Sequence, residues 1–216
     1  HSAPGESASQ EDARRIQTEF ERRCQEAGVG ASFSITVGQV ARQVCEKARW
    51  TDLVVLNLAH PPGRGALARL GSGIRTILRR CSRPVLCVPG SPSPLRHGLL
   101  AFDGSPKARE ALYLAAYLAA QWRIALTVTH VTETPDEPNL PLVEALAYLE
   151  NAGIEANPAA LSSPRPAESI LETARGNGCD FIVTRGFGLE GLFDVIIGSI
   201  LDEVLRTAEI PVLVCR

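Results

Sequence analysis

Asp103-Gly104-Ser105, and further on Gly188 followed after nine residues by Gly198-Ser199, are the stretches of this 216-residue chain whose residue types suit ligand chemistry. Asp103 offers a carboxylate for a ribose hydroxyl, an adenine amine or a metal. Gly186 and Gly188 let a backbone approach a ligand with no side chain in the way. Ser199 stands where a helix over 200–208 is predicted to begin. The free N–H groups and dipole of a helix start suit a phosphate. Each feature also has a purely structural reading. Asp-Gly-Ser-Pro (103–106) is a capping pattern for the helix that follows. Ser199-Ile200-Leu201-Asp202 is close to a capping box, and Asp202 and Glu203 already offset the dipole at that end.

These stretches need a scaffold, and the sequence patterns predict one. Short apolar runs over 98–102, 124–131, 180–185 and 211–215, most of them rich in β-branched residues, read as strands, with a weaker edge strand over 154–161 that Pro158 interrupts. Helices are predicted over 105–122, 142–151, 167–175 and 200–208, the first with Pro106 in its opening turn. Strands alternating with helices argue for a parallel sheet covered on both faces. In such sheets ligands lie beyond the carboxyl ends of the strands. Asp103 and the 184–200 stretch both fall there.

The scaffold is duplicated. Gly71-Ser72 matches Gly198-Ser199, Leu78-Arg79 matches Leu205-Arg206, and Pro84-Val85-Leu86 matches Pro211-Val212-Leu213, all 127 residues apart. Upstream, Thr51–Asn57 matches Cys179–Arg185 at an offset of 128. A fixed period of this length marks two copies of a domain. The first copy is incomplete: helices over 11–26, 40–48 and 74–80 and strands over 31–36, 52–56 and 84–88 have counterparts, but the opening strand, first helix and second strand do not. The expected organisation is a flexible segment over 1–10, a degenerate first domain over 11–89, a linker over 90–97 and a second domain over 98–216. Methionine is absent altogether, so position 1 is not expected to be the native start, and the missing elements are expected upstream of it.

Composition narrows the class. Apolar residues make up 45% and charged residues 21%, with a net charge of -2, which describes a soluble globular protein. No apolar run approaches the ~18 residues of a membrane span, and no secretory signal is visible. The six cysteines show no CxxC spacing and read as reduced, buried thiols, which points to the cytoplasm. Between Leu53 and Phe102 there are seven arginines and no acidic residue. A solvated helix face is the default for such a run, with docking to an acidic partner as the alternative. Nucleic acid is not expected, because no aromatic side chain lies in this run to stack on bases. His60, His97 and His130 are scattered without metal-ligand spacing. No Ser-His-Asp or Cys-His arrangement can be assembled, so an enzyme is not expected.

"LLAFDGSPKAREAL", "CDFIVTRGFG" and "IIGSILDEVLRTAEIPVLVC" resemble the universal stress protein family, over essentially all of 96–216 and, in degenerate form, about 16–89. The resemblance implies an α/β fold: two doubly wound parallel sheets of the five-stranded type, paired through antiparallel contact of their last strands. It implies a regulatory function with ATP, alone or with Mg, as ligand. ATP-binding members carry G-x2-G-x9-G-S/T. Gly188, Gly198 and Ser199 match it, but Arg185 stands at the first glycine. An arginine there either occludes the ribose-phosphate or grips phosphate as a bidentate donor. By position the resemblance adds Asp103 as the adenine-side acid, Val131 near the adenine and Thr184 beside the base. The first copy has Asn57 and His60 where glycines belong and no partner aspartate, so no nucleotide is expected there. Three readings remain: a nucleotide-binding regulator with a protein partner or self-association, a non-binding interaction module of a larger protein such as a membrane transporter, and a slow ATPase.

Overall fold

The computed structural model describes residues 4–58, 61, 73–90, 92–132, 134–187 and 192–216, with side chains described except at 4–10 and 192–199. The chain forms two compact units, His1–Gln43 and Val44–Arg216. The division falls inside the first expected domain rather than in the 90–97 segment.

The smaller unit is built on helix α1 (Pro4–Glu26). The helix begins within the segment expected to be flexible. Residues 5–13 are rich in Glu, Gln and Ala, which favour helix and extend it backwards. Arg22 ties Glu19 and Glu26 along its surface. Gly28, at φ +65°, turns the chain out of the helix. Phe20 and Phe33 pack with ring centroids 5.9 Å apart. The strand expected over 31–36 does not form. A strand needs a neighbour to take its N–H and C=O groups, and among the described residues no strand lies beside 31–36. Helix α2 (Val40–Lys47) follows and runs into a 3-10 turn at Ala48–Trp50.

The larger unit holds seven strands: β1 (Val54–Asn57), β2 (Val85–Val88), β3 (His97–Ala101), β4 (Ala125–Thr132), β5 (Ala156–Ser162), β6 (Phe181–Arg185) and β7 (Val212–Cys215). They form one sheet in the order β1-β2-β7-β6-β3-β4-β5. Every pairing is parallel except β2·β7, which is antiparallel. The two expected sheets are therefore one. The five strands of the second copy join the two of the first where the two last strands meet, as the resemblance implied. Pro158 is carried by β5, at the sheet edge, where it leaves no ladder bond missing.

Helices α3 (Gly73–Arg80), α4 (Pro106–Trp122), α5 (Leu140–Asn151), α6 (Pro166–Gly176) and α7 (Leu192–Thr207) cover the sheet. The side chain of Ser105 caps α4 by accepting from Ala108 N–H at 3.1 Å, and Pro106 fills the first turn. The buried stripe Ala108, Ala111, Leu112, Ala115 and Ala119 lays α4 on β3, β6 and β7. Alternate strand residues Leu100, Val128, Val183 and Leu213 meet it. Helix α5 packs on β4 and β5, and α6 packs on β3 and β4 and against α7. All four residues of β7 are buried, which is why its sequence is a continuous apolar run rather than an alternating one.

The connection into the second copy is tied down. Ser93 Oγ donates to the Asp180 carbonyl at 2.6 Å. The Asp180 carboxylate accepts the backbone N–H groups of Arg96 and His97, and Asp180 N–H donates back to the His97 carbonyl. His97, expected in the linker, opens β3.

Candidate functional site

Asp103 leaves β3 just beyond its carboxyl end. Gly104 follows at φ +75°, which a side chain resists. Asp103 Oδ1 accepts Ser105 N–H at 3.0 Å, so the carboxylate orders the turn ahead of α4 while Ser105 does the capping. Asp103 Oδ2 accepts from Arg185 Nε at 2.7 Å. The Arg185 side chain is 9% exposed and that of Asp103 is 39%.

Around this ion pair lies a cavity of about 180 Å³, lined by Asp103, Val131, Thr184, Arg185 and, on its apolar wall, Ile170 and Leu201. Four of the sequence-predicted site residues, Asp103, Val131, Thr184 and Arg185, thus converge on one space at the ends of β3, β4 and β6. Gly188 lies outside the described residues. Gly198 and Ser199 lie within α7, whose first residue is Leu192. The expectation that Ser199 opens a helix, and with it the capping-box reading, is corrected. Leu192, Phe193, Val195, Ile196 and Ile197, with only Asp194 polar among them, continue the helix upstream, and no Pro interrupts it.

Three contributors were not singled out as ligand-site residues in the sequence. His130 lines the cavity, and its ring Nδ1 lies 2.9 Å from the Phe102 carbonyl. A carbonyl only accepts, so Nδ1 carries the proton and Nε2 is left as the second donor-acceptor position. Its place beside Val131 on a predicted strand end was the available signal. Lys107 Nζ donates to the Phe187 carbonyl at 2.7 Å, tying the start of α4 to the segment after β6. Arg75, from α3 of the first copy, lies 4.8 Å over the Phe187 ring and pairs with Asp202 of α7 at 3.2 Å. Among the described residues of the arginine run, Arg79, Arg80, Arg83 and Arg96 are exposed and Arg75 is turned inward, while Arg64 and Arg69 lie outside the described residues.

Gly186 has a structural duty. A Cβ there would stand 2.6 Å from the Cys215 carbonyl, which Gly186 N–H itself reaches at 2.5 Å. The residue lets β6 and β7 stay close past their last paired residues. Among the described residues no cluster of three or more His, Cys, Asp or Glu side chains could hold a metal ion. Among them, too, no helix is long and apolar enough to cross a membrane. All six cysteines are free. Burial pushes the Cys87 and Cys215 thiols up to about 12, so neither is a nucleophile near neutral pH.

In donors and acceptors the cavity fits the base end of a nucleotide. Each oxygen of Asp103 has one lone pair engaged and one to offer. In volume it does not fit while Arg185 lies across it, because sites for small molecules run from ~300 Å³ upward.

Known proteins agree with this architecture. The sequence profile described as the Universal stress protein family matches residues 141–216. A universal stress protein of Thermus aquaticus is 36% identical over 134 residues, covering 55% of this chain and 96% of the relative. One from Synechocystis is 27% identical over 169 residues, and one from Mycobacterium tuberculosis is 30% identical over 188. Both cover 76% of this chain, but the chain spans only 58% and 62% of their lengths. The crystal structure of a universal stress protein from Archaeoglobus fulgidus superposes with a TM-score of 0.79 at 21% identity, over 97% of this chain and 78% of that one. With 96% of the Thermus relative covered at that identity, the chain belongs to the universal stress protein family.

Proposed function

We propose that this chain is a regulatory protein whose second copy takes an adenine nucleotide, ATP with Mg being the form to test, and that Arg185 sets how readily it does so. The observation that carries this reading is the convergence of Asp103, Val131, Thr184 and Arg185 on one cavity beyond the strand ends, where doubly wound sheets take ligands. The spare lone pairs of Asp103 suit a ribose hydroxyl or an adenine amine. Val131 and the apolar wall from α6 and α7 suit the faces of a base. For a nucleoside to enter, the Arg185 side chain must leave Asp103, and it is then free to pair with phosphate. Occupancy would thereby shift the segment after β6 and the surface it offers to a protein partner or to a second copy. A cytoplasmic location belongs to the same proposal.

A second reading has its own observation. The 2.7 Å Arg185–Asp103 pair supplies internally the cation that a ligand would otherwise have to replace, which favours an interaction module with a permanently closed site. Calorimetric titration of ATP-Mg into the wild-type chain and into Arg185→Gly separates the two. Under the proposal, wild type binds weakly, Arg185→Gly binds at least tenfold more tightly, and Asp103→Ala abolishes the heat in both backgrounds. Absence of heat from both proteins at millimolar nucleotide establishes the closed module instead.

A further inference from the structure

Three cations converge on the segment that leaves β6. Arg185 ends the strand and donates from Nε to Asp103 Oδ2 at 2.7 Å. Arg75 lies 4.8 Å over the Phe187 ring and pairs with Asp202 at 3.2 Å. Lys107, in the first turn of α4, donates from Nζ to the Phe187 carbonyl at 2.7 Å. Two of the three thus face a carboxylate. The third does not: among the described residues no Asp or Glu oxygen stands within salt-bridge distance of Lys107 Nζ.

Lys107 is half-buried. A charged amine drawn in from water is ordinarily met by an opposite charge. Here a neutral carbonyl takes one of its three donors and leaves two for water or a ligand. The carbonyl belongs to the second residue after Arg185, so the two Cα atoms are at most ~7 Å apart. Asp103, Val131, Thr184 and Arg185 line the cavity, and Lys107 stands outside its wall. A ligand whose base fills the cavity and whose phosphates follow Arg185 outward meets Lys107 next.

We infer that Lys107 reads phosphate number: it binds the second or third phosphate of a nucleotide and makes the site one for nucleoside polyphosphates rather than monophosphates. The inference rests on the nucleotide reading proposed above. One phosphate is met by Arg185 once that side chain leaves Asp103. Each further phosphate adds negative charge that Arg185 alone does not offset. Lysine suits the task, because a point charge with rotatable donors on a flexible stem changes partners with little rearrangement. A bond to an ionised acceptor is about twice as strong as one to a neutral acceptor, which favours phosphate over the Phe187 carbonyl.

Calorimetric titration of adenosine, AMP, ADP and ATP, all without Mg, into wild type, Lys107→Met and Lys107→Arg tests it. The same series is run in the Arg185→Gly background, where binding is expected to be tighter. Lys107→Met should weaken ATP about tenfold, the worth of one hydrogen bond to a charged group, and leave adenosine and AMP within about twofold. A loss already present with ADP places the contact at the second phosphate, and a loss with ATP alone at the third. Lys107→Arg keeps the charge and should retain most of the ATP affinity. Losing only the tie to Phe187 would loosen the segment for every ligand alike. Equal weakening of adenosine and ATP therefore overturns the inference while the nucleotide reading stands, and so does unchanged ATP affinity in Lys107→Met. Absence of heat from every ligand in both backgrounds removes the two together.

Discussion

Val55 and Val183 are the same residue at the same place in the two copies, yet Val55 is 60% exposed and Val183 fully buried. The two strands match in sequence, Thr51–Asn57 against Cys179–Arg185, and the helices that follow share Leu78-Arg79 and Leu205-Arg206 near their ends. What differs is the number of neighbours. Strand β6 lies between β3 and β7, whereas β1 hydrogen-bonds only to β2. Helix α4 covers β6, and among the described residues of the first copy no helix or strand stands in the place of α4 or β3. The difference teaches that burial is conferred by the elements around a strand, not by the strand's own residues. The junction shows the converse: β2 belongs to the incomplete copy but is buried because β7 lies beside it.

The comparison breaks most visibly at the residues preceding these valines. Phe181 is fully buried with its ring over Gly98, where a Cβ would stand 2.7 Å from the ring's far carbon. Its counterpart Leu53 is exposed. Phe181→Ala should cost about 3–5 kcal/mol in denaturant unfolding, and Leu53→Ala less than about 1 kcal/mol. Equal costs would mean that the first copy is as tightly packed as the second. A smaller effect sharpens the converse. Burial raises the thiols of Cys87, in the first copy, and Cys215, in the second, to about 12. A raised folded value stabilises the protein below the unfolded thiol value of ~8.5. That stability is lost as pH climbs toward the folded value. Between pH 9 and 10.5 each thiol should therefore remove about 2 kcal/mol. Cys87→Ala and Cys215→Ala should each flatten the alkaline limb of the stability profile by the same amount, since the junction treats the copies alike.

Much of this was legible because repetition is legible. The 127-residue offset revealed the two copies, the family resemblance placed their last strands together, and period and punctuation located all five strands of the second copy. The strand over 31–36 was misread for the reason that separates Val55 from Val183: a strand pattern states a preference, and the partner that would satisfy it is elsewhere or absent. Asp103 was legible because it follows a strand, whereas Val131 and Thr184 came by position from the family resemblance and Arg185 from its departure from the glycine motif. That Arg185 reaches back to Asp103 was not, since only side-chain geometry decides between occlusion and grip. Ser199 was misplaced because a Ser before an apolar run is a capping signal only if the helix actually stops there, and α7 continues through it to Leu192. Arg75 disappeared into a run of arginines, although its offset of 127 from Asp202 was in the sequence all along.

The finest test of the comparison concerns two aspartates at equivalent positions, Asp52 and Asp180, each just before its strand. The Asp180 carboxylate accepts two backbone N–H groups, from Arg96 and His97, in the segment that enters β3. Asp52 is exposed and has no β3 equivalent to hold. Removing the carboxylate at 180 leaves two donors to find water, one of them on the part-buried His97, and frees the start of β3 from β6. The loss should be about 1.5–3 kcal/mol, the range for hydrogen bonds to charged groups. Asp52→Ala should lie within about 0.5 kcal/mol of wild type. Hydrogen exchange gives the test its resolution, because Asp180→Ala should speed exchange at Arg96 and His97 first and leave β5 untouched. Uniform acceleration across the sheet would mean that Asp180 supports the whole larger unit rather than the one connection by which the two copies are joined.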